Sequence, residues 1–281
     1  MKQFSLAIQG GGIRGSYAAG VVDVLMEHDL FAKSTYGTSA GALVGVNYVS
    51  HQKGRTIEIM TKGMTDPQFA SFKLFLKTGS FFNFDFMFHG ITEKIPFDES
   101  IFFNNEMEFH ACSTNCLSGE AIYWGKNTEE FYNALASSCS LPMYVRKPVM
   151  VEGVPCLDGG IVERVPFYAL LNQPEKLVVI TTREKGFRYN GNKKFELEIC
   201  KERFKKYPNL INAISQEHEV YNRQMDELAR LEKEGKAFVI YPSSPLKISL
   251  TERREKKIMA VYLQGKKDMV DNLSKFYKFT E

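Results

Sequence analysis

The fold is decided by residues 4–41, which read FSLAIQGGGIRGSYAAGVVDVLMEHDLFAKSTYGTSAG. A short apolar segment at 4–8 runs into three glycines, and the apolar residues of 16–30 then recur at helical spacing. A second unit of the same kind follows, because residues 34–36 lead into GTSAG and residues 42–49 continue as an apolar helix. Two successive units of strand, glycine turn and helix predict an α/β layer fold with a largely parallel sheet.

Further strands and helices alternate along the rest of the chain. Strands are predicted by apolar and β-branched runs at 108–113, 121–124, 176–182 and 237–241. Helices are predicted at 128–138, 209–236 and 251–278, the last two as long surface helices. Because no linker, repeat or low-complexity tract interrupts the chain, we expect one domain over residues 1–281. Its motif-bearing core is expected at 4–182, and a basic, helix-rich part at 183–281.

Composition excludes several classes of protein. With 44% hydrophobic and 25% charged residues, the chain has the make-up of an ordinary folded protein rather than a disordered one or a coiled coil. Five cysteines without a C-x-x-C pair indicate neither a disulfide framework nor a zinc knuckle, and they favour a reducing compartment. The N-terminus lacks the pattern of a signal peptide, and no apolar run approaches the roughly 18 residues of a membrane span. We therefore expect a cytoplasmic protein that could touch the inner membrane surface peripherally.

Charge is distributed unevenly between the two parts of the chain. Residues 1–182 carry 14 Lys and Arg against 18 Asp and Glu, whereas residues 183–281 carry 22 against 15. A basic region of this kind could dock on anionic lipid or nucleic acid. The charged coat of long solvated helices gives the same composition, and we favour that interpretation. The clusters that would meet lipid headgroups are Lys193 with Lys194, residues 201–206 and residues 253–257.

The pentapeptide GTSAG at residues 37–41 fits the pattern G-x-S-x-G. In this strand-to-helix elbow, glycines relieve crowding so that a serine can stand exposed in a strained turn. Ser39 would then lie at a helix N-terminus, where the helix dipole favours developing negative charge. Because five residues also match by chance, the pattern indicates a nucleophile only in the company of further motifs.

The glycine-rich loop GGGIRG at residues 10–15 offers backbone N–H groups for an oxyanion hole. In acyl transfer, one well-placed donor is worth roughly 3–4 kcal/mol. A nucleotide site is the alternative, since glycine turns at helix starts also bind phosphates. The loop matches the dinucleotide pattern G-x-G-x-x-G, but the next strand ends in the serine elbow instead of the expected acidic residue. We therefore expect neither a nucleotide cofactor nor a nucleic-acid partner.

The group that activates Ser39 is open between a histidine and an aspartate. Of the five histidines, only His218 follows both Ser39 and a candidate acid, which is the chain order of an α/β-hydrolase triad. His218 lies within a polar helix rather than on a loop, so we predict a solvated helix residue. The sequence LDGG at 157–160 offers Asp158 on a tight turn, although Asp-Gly-Gly taken alone is usually only a turn.

The ordered set of GGGIRG, GTSAG and DGG resembles the patatin-like phospholipases over residues 4 to about 182. The segment SCSLP at 138–142 looks like the small-residue stretch ending in proline that these proteins carry before the aspartate. The resemblance implies a three-layer α/β fold, with a mostly parallel central sheet, helices on both faces and a helical C-terminal extension. Gln9 departs from the acidic or small residue that many relatives have before the glycines, and we expect no effect on the chemistry.

The resemblance also implies the roles of the site residues. Ser39 is the nucleophile and Asp158 its only partner, in a dyad that requires no metal, cofactor or histidine. Gly11 and Gly12, with Arg14 beside them, would line the oxyanion hole. A free aspartate has a pKa of about 3.9 and is a weak base, whereas partial burial raises that pKa. We therefore predict an enclosed, only partly wet Asp158 within hydrogen-bond reach of the Ser39 hydroxyl.

The predicted cycle is attack on an ester carbonyl, an acyl-enzyme on Ser39, and hydrolysis by a water that Asp158 deprotonates. Eight phenylalanines between Phe69 and Phe88 could form an acyl-chain tunnel or a lid that meets lipid. Core packing over the sheet edge explains their density equally well. We expect a long-chain acyl ester as substrate, most simply a phospholipid or lysophospholipid. An acyltransferase with a histidine base, His110 or His218, and a catalytically silent binding protein are the alternatives.

Overall fold

The computed structural model describes residues 3–64, 66–191 and 194–281. Within these ranges the chain forms a sheet of eight strands with helices packed on both faces. The strands are β1 (Phe4–Ile8), β2 (Ser34–Thr38), β3 (Glu108–Asn115), β4 (Ala121–Gly125), β5 (Val149–Val151), β6 (Val154–Asp158), β7 (Lys176–Ile180) and β8 (Ala237–Ile240). The helices are α1 (Gly15–Glu27), α2 (Ala40–Val49), α3 (Arg55–Glu58), α4 (Phe72–Thr78), α5 (Ile91–Lys94), α6 (Glu99–Asn104), α7 (Phe131–Ser138), α8 (Lys194–Arg203), α9 (Pro208–Lys233) and α10 (Glu255–Thr280).

The sheet is mostly parallel and follows the order β5-β6-β3-β2-β1-β7-β8, with β4 paired to β3 outside this path. Strands β3, β2, β1, β7 and β8 pair in parallel along the sheet. The pairs that involve β4, β5 and β6 are antiparallel. Parallel neighbours need crossover connections, which the helices between them supply. This architecture confirms the α/β fold expected from the sequence.

Side chains alternate along the inner strands and supply a core to each face of the sheet. Leu6 and Ile8 of β1 pack into the core that includes α1, α2 and α10, whereas the intervening Ala7 belongs to the core beneath α9. On β7, Val178 and Val179 divide between the same two cores. Burial on both sides explains why these strands read as continuous apolar runs.

The C-terminal helix α10 packs directly against α1, near the motif-bearing end of the chain. At the crossing, a Cβ on Gly20 would lie 2.1 Å from the carbonyl oxygen of Tyr262. On the opposite helix, a Cβ on Gly265 would lie 2.1 Å from the carbonyl oxygen of Tyr17. Two glycines therefore allow the two backbones to touch. The basic C-terminal part and the N-terminal part share one hydrophobic core.

The predicted strands and long helices are all present, with small shifts at their ends. The helix predicted at 128–138 begins at Phe131, and the helices predicted at 209–236 and 251–278 are α9 and α10. The sequence did not predict β5, β6, α8 or the short helices α3 to α6. No helix within the described ranges is long and apolar enough to cross a membrane.

Candidate active site

Ser39 lies in a strained turn between β2 and α2. Its backbone has φ 55° and ψ −127°, a left-handed conformation that L side chains rarely adopt. The flanking glycines leave room for this turn: a Cβ on Gly37 would lie 2.5 Å from Ala42 Cα, and one on Gly41 would lie 2.3 Å from the carbonyl oxygen of Ile8. The sequence GTSAG therefore forms the strand-to-helix elbow that its pattern predicts.

The backbone of Ser39 is held by a second serine, Ser138, at the end of α7. The Ser39 N–H donates to Ser138 Oγ at 2.9 Å, and the Ser138 hydroxyl donates to the carbonyl oxygen of Cys112 at 2.6 Å. Ser138 is fully buried and therefore links the elbow to β3 through two fixed hydrogen bonds. Such a link stabilises a strained backbone that would otherwise relax.

The sheet itself brings Ser39 and Asp158 together. Strand β2 pairs with the first part of β3, and its last residue, Thr38, is aligned with Cys112. Strand β6 runs antiparallel to β3, and its last residue, Asp158, is aligned with Ser113. Since β4 occupies the other edge of β3 over this stretch, β2 and β6 lie on the same edge and meet end to end. The elbow serine and the aspartate therefore converge, although 119 positions separate them in the sequence.

The Asp158 carboxyl is more enclosed than the sequence predicted, because the residue is only 1% exposed. Its Oδ1 accepts a hydrogen bond from Gly160 N at 2.7 Å, and its Oδ2 has no hydrogen-bond partner within the described chain. Burial raises the pKa of Asp158 to about 6, against the lowering effect of the Gly160 N–H and the Ser39 hydroxyl. The hydroxyl is thus a close neighbour that favours the ionised carboxylate, without a fully formed hydrogen bond between the two side chains.

In the glycine-rich loop after β1, the N–H groups of Gly10 and Ile13 are hydrogen-bonded, and those of Gly11 and Gly12 between them are not, within the described chain. The Gly10 N–H donates to a backbone carbonyl at 3.1 Å, and the Ile13 N–H donates to the carbonyl oxygen of Leu250 at 3.2 Å. The N–H groups of Gly11 and Gly12, in contrast, make no hydrogen bond to other described residues. Gly12 has φ +56°, and a Cβ there would lie 2.8 Å from the carbonyl oxygen of Leu250, so glycine is required at this point of the loop. Both free amides lie on the wall of the cavity that contains Ser39.

Arg14 follows the two glycines and is only 8% exposed. It lines the same cavity as Ser39 and Asp158. Burial, together with the neighbouring guanidinium groups of Arg183 and Arg164, lowers the pKa of Arg14 to about 10. Arg14 therefore remains a cation at neutral pH, in a place where two other cations are close by.

Two cavities of different character meet at Ser39. The first, of about 160 Å³, is lined mostly by apolar side chains, although Arg55, Glu252 and Arg253 also border it. Its wall includes side chains such as Leu43, Met60, Phe82, Met87 and Leu135. The second, of about 750 Å³, carries charged side chains and the free amides of the glycine-rich loop. An ester carbonyl placed at Ser39 would therefore have an apolar space on one side and a polar space on the other.

The phenylalanine-rich segment contributes both to the wall of a cavity and to core packing. Some of its rings line the apolar cavity, namely Phe69, Phe81, Phe82 and Phe88. Phe86 is instead buried in a small hydrophobic cluster beside the cavity. On helix α4, Phe72 is 67% exposed and Leu76 is 56% exposed, between Lys73 and Lys77. The segment therefore forms a cavity wall with an amphipathic helix at the surface.

The prediction that His218 is a solvated helix residue is wrong in one respect. His218 does lie within α9, but its side chain is only 16% exposed. Its ring stacks on Tyr189 with centroids 5.1 Å apart, and Nε2 lies 3.2 Å from Glu217 Oε1. The reason is that this face of α9 covers the polar cavity. His110 lies on β3 with its ring stacked on Tyr36, away from both cavities, and none of the histidines hydrogen-bonds to Ser39 in the described chain.

The basic clusters are partly neutralised by neighbouring carboxylates. Lys201 and Lys205 form ion pairs with Glu198 and Glu202 on α8. In the third cluster, Glu252 accepts from Arg254 and lies within ion-pair distance of Lys257. Of the first cluster, Lys193 lies outside the described residues, and Lys194 lines the polar cavity. No three His, Cys, Asp or Glu side chains converge as metal ligands in the parts of the chain that the structure describes.

Several residues around Ser39 were not singled out from the sequence. Ser138 stands in the quoted segment SCSLP, so its position before the aspartate was a usable signal. Arg164 and Arg183 belong to no motif that we recognised, and only the fold brings them to the cavity. The same holds for the apolar wall, whose residues come from α2, α7 and the region between α3 and α6.

Comparison with known proteins finds a matching family, a relative in sequence and a similar fold. The family model described as patatin-like phospholipase matches residues 6–171, and a domain of unknown function (DUF6363) matches residues 207–281. The uncharacterized protein YjjU of Escherichia coli (strain K12) is 27% identical over 254 residues, which covers 87% of this chain and 70% of that protein. The crystal structure of VipD from Legionella pneumophila aligns with a TM-score of 0.55 at 14% identity, over 98% of this chain and 67% of that chain. At this level of identity, the likeness to VipD concerns the fold alone.

Proposed function

Because the chain belongs to the patatin-like phospholipase family, we propose that it is a lipid acyl hydrolase with Ser39 as nucleophile and Asp158 as general base. The observation that supports the proposal is the end-to-end meeting of β2 and β6 on β3. The strained serine lies beside a buried carboxylate oxygen that has no hydrogen-bond partner within the described chain. Gly11 and Gly12 would hold the oxyanion through their free N–H groups, with Arg14 beside them.

In the proposed cycle, the Asp158 carboxyl group accepts and returns each proton that is transferred. The Asp158 carboxylate takes the proton of Ser39 as Oγ attacks the ester carbonyl, and the carbonyl oxygen becomes an oxyanion. The tetrahedral intermediate collapses, and Asp158 returns the proton to the leaving alcohol. Asp158 then takes a proton from a water molecule that attacks the acyl-enzyme, and the fatty acid departs as Ser39 regains its proton.

The environment of Asp158 suits this role. A pKa raised to about 6 makes the carboxylate a stronger base than a free aspartate, yet leaves it mostly ionised at pH 7. Ser39 lies at the N-terminus of α2, where the helix dipole favours negative charge that develops during attack. Both effects favour the transition state over the resting enzyme.

The apolar cavity is the proposed site of the acyl chain, and α4 the proposed contact with the membrane. Phe72 and Leu76 are exposed on a helix with Lys73 and Lys77, a combination that suits the headgroup region of an anionic bilayer. The five cysteines are buried and form no disulfide, which is compatible with a reducing compartment. We therefore propose a cytoplasmic enzyme that acts at the inner membrane surface, with residues 1–281 as one domain.

The test is hydrolysis of a soluble short-chain p-nitrophenyl ester by the wild type, Ser39→Ala and Asp158→Asn. Each variant should lose at least about a thousandfold in kcat/KM, because nucleophile and base act as one unit. Ser274→Ala on α10 and Asp226→Asn on α9, both at exposed positions outside the two cavities, are matched controls and should retain full activity. Full activity in Ser39→Ala would remove the proposal.

The same assay decides between this mechanism and an acyltransferase with a histidine base. A histidine base predicts that His110→Ala or His218→Gln loses as much activity as Ser39→Ala, whereas the dyad predicts less than about a tenfold loss. Mass spectrometry of a panel of phospholipids, lysophospholipids and triglycerides would then identify the lipid class and the ester bond cleaved.

A further inference from the structure

The wall of the polar cavity carries three guanidinium groups that the catalytic cycle does not require together. Arg14 follows the glycine-rich loop, Arg164 follows the DGG turn, and Arg183 follows β7. Three separate segments thus bring a cation to the cavity that contains Ser39 and Asp158. Since like charges repel, such a cluster is unfavourable unless something compensates for it.

Aromatic rings hold two of these guanidinium groups in place. Arg164 Cζ lies 4.6 Å from the ring centre of Tyr189, and Arg183 Cζ lies 4.3 Å from the ring centre of Phe187. Arg183 also lies 5.8 Å from the Tyr189 ring, so one tyrosine is shared by both. A ring at such a distance attracts the guanidinium cation and helps to hold it in place. The planar guanidinium group has five N–H donors, which suit a phosphate or carboxylate anion.

The cluster has unmet hydrogen-bonding capacity within the described chain. The side chain of Arg14 makes no hydrogen bond or ion pair there, and its Nε is buried without a partner. Arg183 Nε is also buried without a partner. Arg164 has a carboxylate at 3.9 Å, that of Glu217, which lies closer to His218. A buried cation without a partner is costly, and a bound anion would remove that cost.

The other charged side chains that face the cavity do not cancel the positive charge of the three arginines. Asp158 is the proposed base, and Glu217 is engaged by Arg164 and His218. Lys194 and Glu196 of α8 add one charge of each sign. Burial alone would raise the pKa of Tyr189, but Arg164, Arg183 and Arg14 together hold it below its usual value. The field around the shared tyrosine is therefore positive.

We propose that this cluster binds the phosphate of the lipid headgroup and selects a phosphomonoester headgroup over a zwitterionic or neutral one. The inference rests on the proposed function, because it takes the ester to be placed at Ser39. With the acyl chain in the apolar cavity, the glycerol backbone leads the headgroup into the polar cavity. A phosphomonoester carries close to two negative charges at neutral pH and can accept from several guanidinium groups. A choline group would bring a further cation among them.

The first test compares three substrates with the same acyl chain: lysophosphatidic acid, lysophosphatidylcholine and monoacylglycerol. The wild type should show a kcat/KM at least about tenfold higher for lysophosphatidic acid, because hydrogen bonds between charged groups are strong. Arg183→Gln should lower the ratio of lysophosphatidic acid to monoacylglycerol by about tenfold or more. Arg188→Gln, on the same segment but paired with Asp226 at the surface, is the matched control and should leave the ratio unchanged. An equal fall for both substrates in Arg183→Gln would overturn the inference.

The second test does not depend on catalysis. Ser39→Ala is titrated calorimetrically with dihexanoyl phosphatidic acid and dihexanoyl phosphatidylcholine, and inorganic phosphate is added as competitor. We expect tighter binding of the phosphatidic acid by about tenfold, and weakening of that preference by Arg183→Gln. Binding of inorganic phosphate with equal affinity for both lipids would show an anion site unrelated to the headgroup, and would refute the inference.

The two tests separate this inference from the proposed function. If the wild type hydrolyses no ester while Ser39→Ala still prefers phosphatidic acid, the hydrolase proposal fails and the headgroup site stands as a binding site. If the wild type hydrolyses all three substrates equally and Ser39→Ala shows no preference, only the headgroup inference fails.

Discussion

The two cavities that meet at Ser39 differ in both chemistry and origin. The apolar cavity is walled by methionine, leucine and phenylalanine side chains, largely from the region between α3 and α6. The polar cavity is walled by the glycine-rich loop, the DGG turn and charged side chains from beyond β7. Of the motif residues, Gly12 and Ser39 line both cavities, whereas Gly11, Arg14 and Asp158 line the polar cavity alone. The comparison teaches that the motifs supply the proposed chemistry, whereas the segments without motifs shape the space on either side.

The largest effect is expected from replacing the Asp158 carboxylate, which lines the polar cavity beside Ser39. Asp158→Asn should lower kcat/KM by about a thousandfold or more, because the proposed base is lost while the shape of the side chain is kept. The same variant should be more stable at pH 7, on the order of 2–3 kcal/mol, because burial of the ionised carboxylate is costly. Urea unfolding of the wild type and the variant checks the second effect. A variant that is both inactive and less stable would indicate damage to the fold instead.

The pH dependence of the wild type should report the same carboxyl group. Activity requires the ionised form of Asp158, whose pKa burial raises to about 6, so kcat/KM should rise through about pH 6 and level off above it. Between pH 7 and pH 5 the loss should be about tenfold. Stability should change in the opposite direction. Between about pH 4 and 6, Asp158 is protonated in the folded state and ionised in the unfolded state. Its contribution to the free energy of unfolding therefore decreases as the pH rises through this range. A profile that is flat from pH 5 to 8 would contradict the assignment.

A smaller effect should follow from reducing the volume of the apolar cavity. Leu43 lies on α2, just beyond Ser39, and contributes to the cavity wall. Leu43→Trp should lower the ratio of long-chain to short-chain ester hydrolysis by about tenfold, because space for the acyl chain is lost. Leu263→Trp, at an exposed position of α10, is the matched control. An unchanged ratio in Leu43→Trp would place the acyl chain elsewhere.

The smallest effect is expected at the surface of α4. The double variant Phe72→Ser and Leu76→Ser should bind vesicles that contain anionic lipid about fivefold more weakly, because apolar surface for insertion is removed. Hydrolysis of a soluble ester should be measured alongside as the reference. Leu263→Ser with Val270→Ser removes similar exposed apolar surface from α10 and should leave vesicle binding unchanged. Equal weakening by both pairs would show that α4 has no special part in membrane contact.

Much of the fold could be predicted from the sequence because its signals are local. Each of these signals is carried by residues that are close in the sequence. This holds for the glycine turns, for the apolar runs of the parallel strands and for the periodic pattern of α9 and α10. The hairpin of β5 and β6 was harder to predict, since its strands are short, β6 contains Pro155, and its two-residue turn is Glu-Gly rather than the Asn-Gly or Asp-Gly typical of hairpins. That hairpin nevertheless carries Asp158 to Ser39. The motif predicted the residue, and only the pairing of β6 with β3 explains its position.

The side chains around the two cavities were harder to predict, for a different physical reason. Arg164 and Arg183 lie on separate segments, and nothing near either residue in the sequence indicates the other. His218 looked solvated because the pattern around it in α9 is polar, yet that polar face covers a cavity rather than bulk water. A periodic pattern distinguishes apolar from polar faces, and it does not distinguish a polar cavity from solvent.

The most direct measurement is covalent labelling of the enzyme with a fluorophosphonate probe, followed by mass spectrometry of the labelled peptide at a series of pH values. An activated serine should carry the probe at Ser39 alone, with a labelling rate that rises through about pH 6 and falls by at least about a hundredfold in Asp158→Asn. Labelling at another residue, or a rate at Ser39 that is the same in Asp158→Asn as in the wild type, would contradict a nucleophile activated by Asp158.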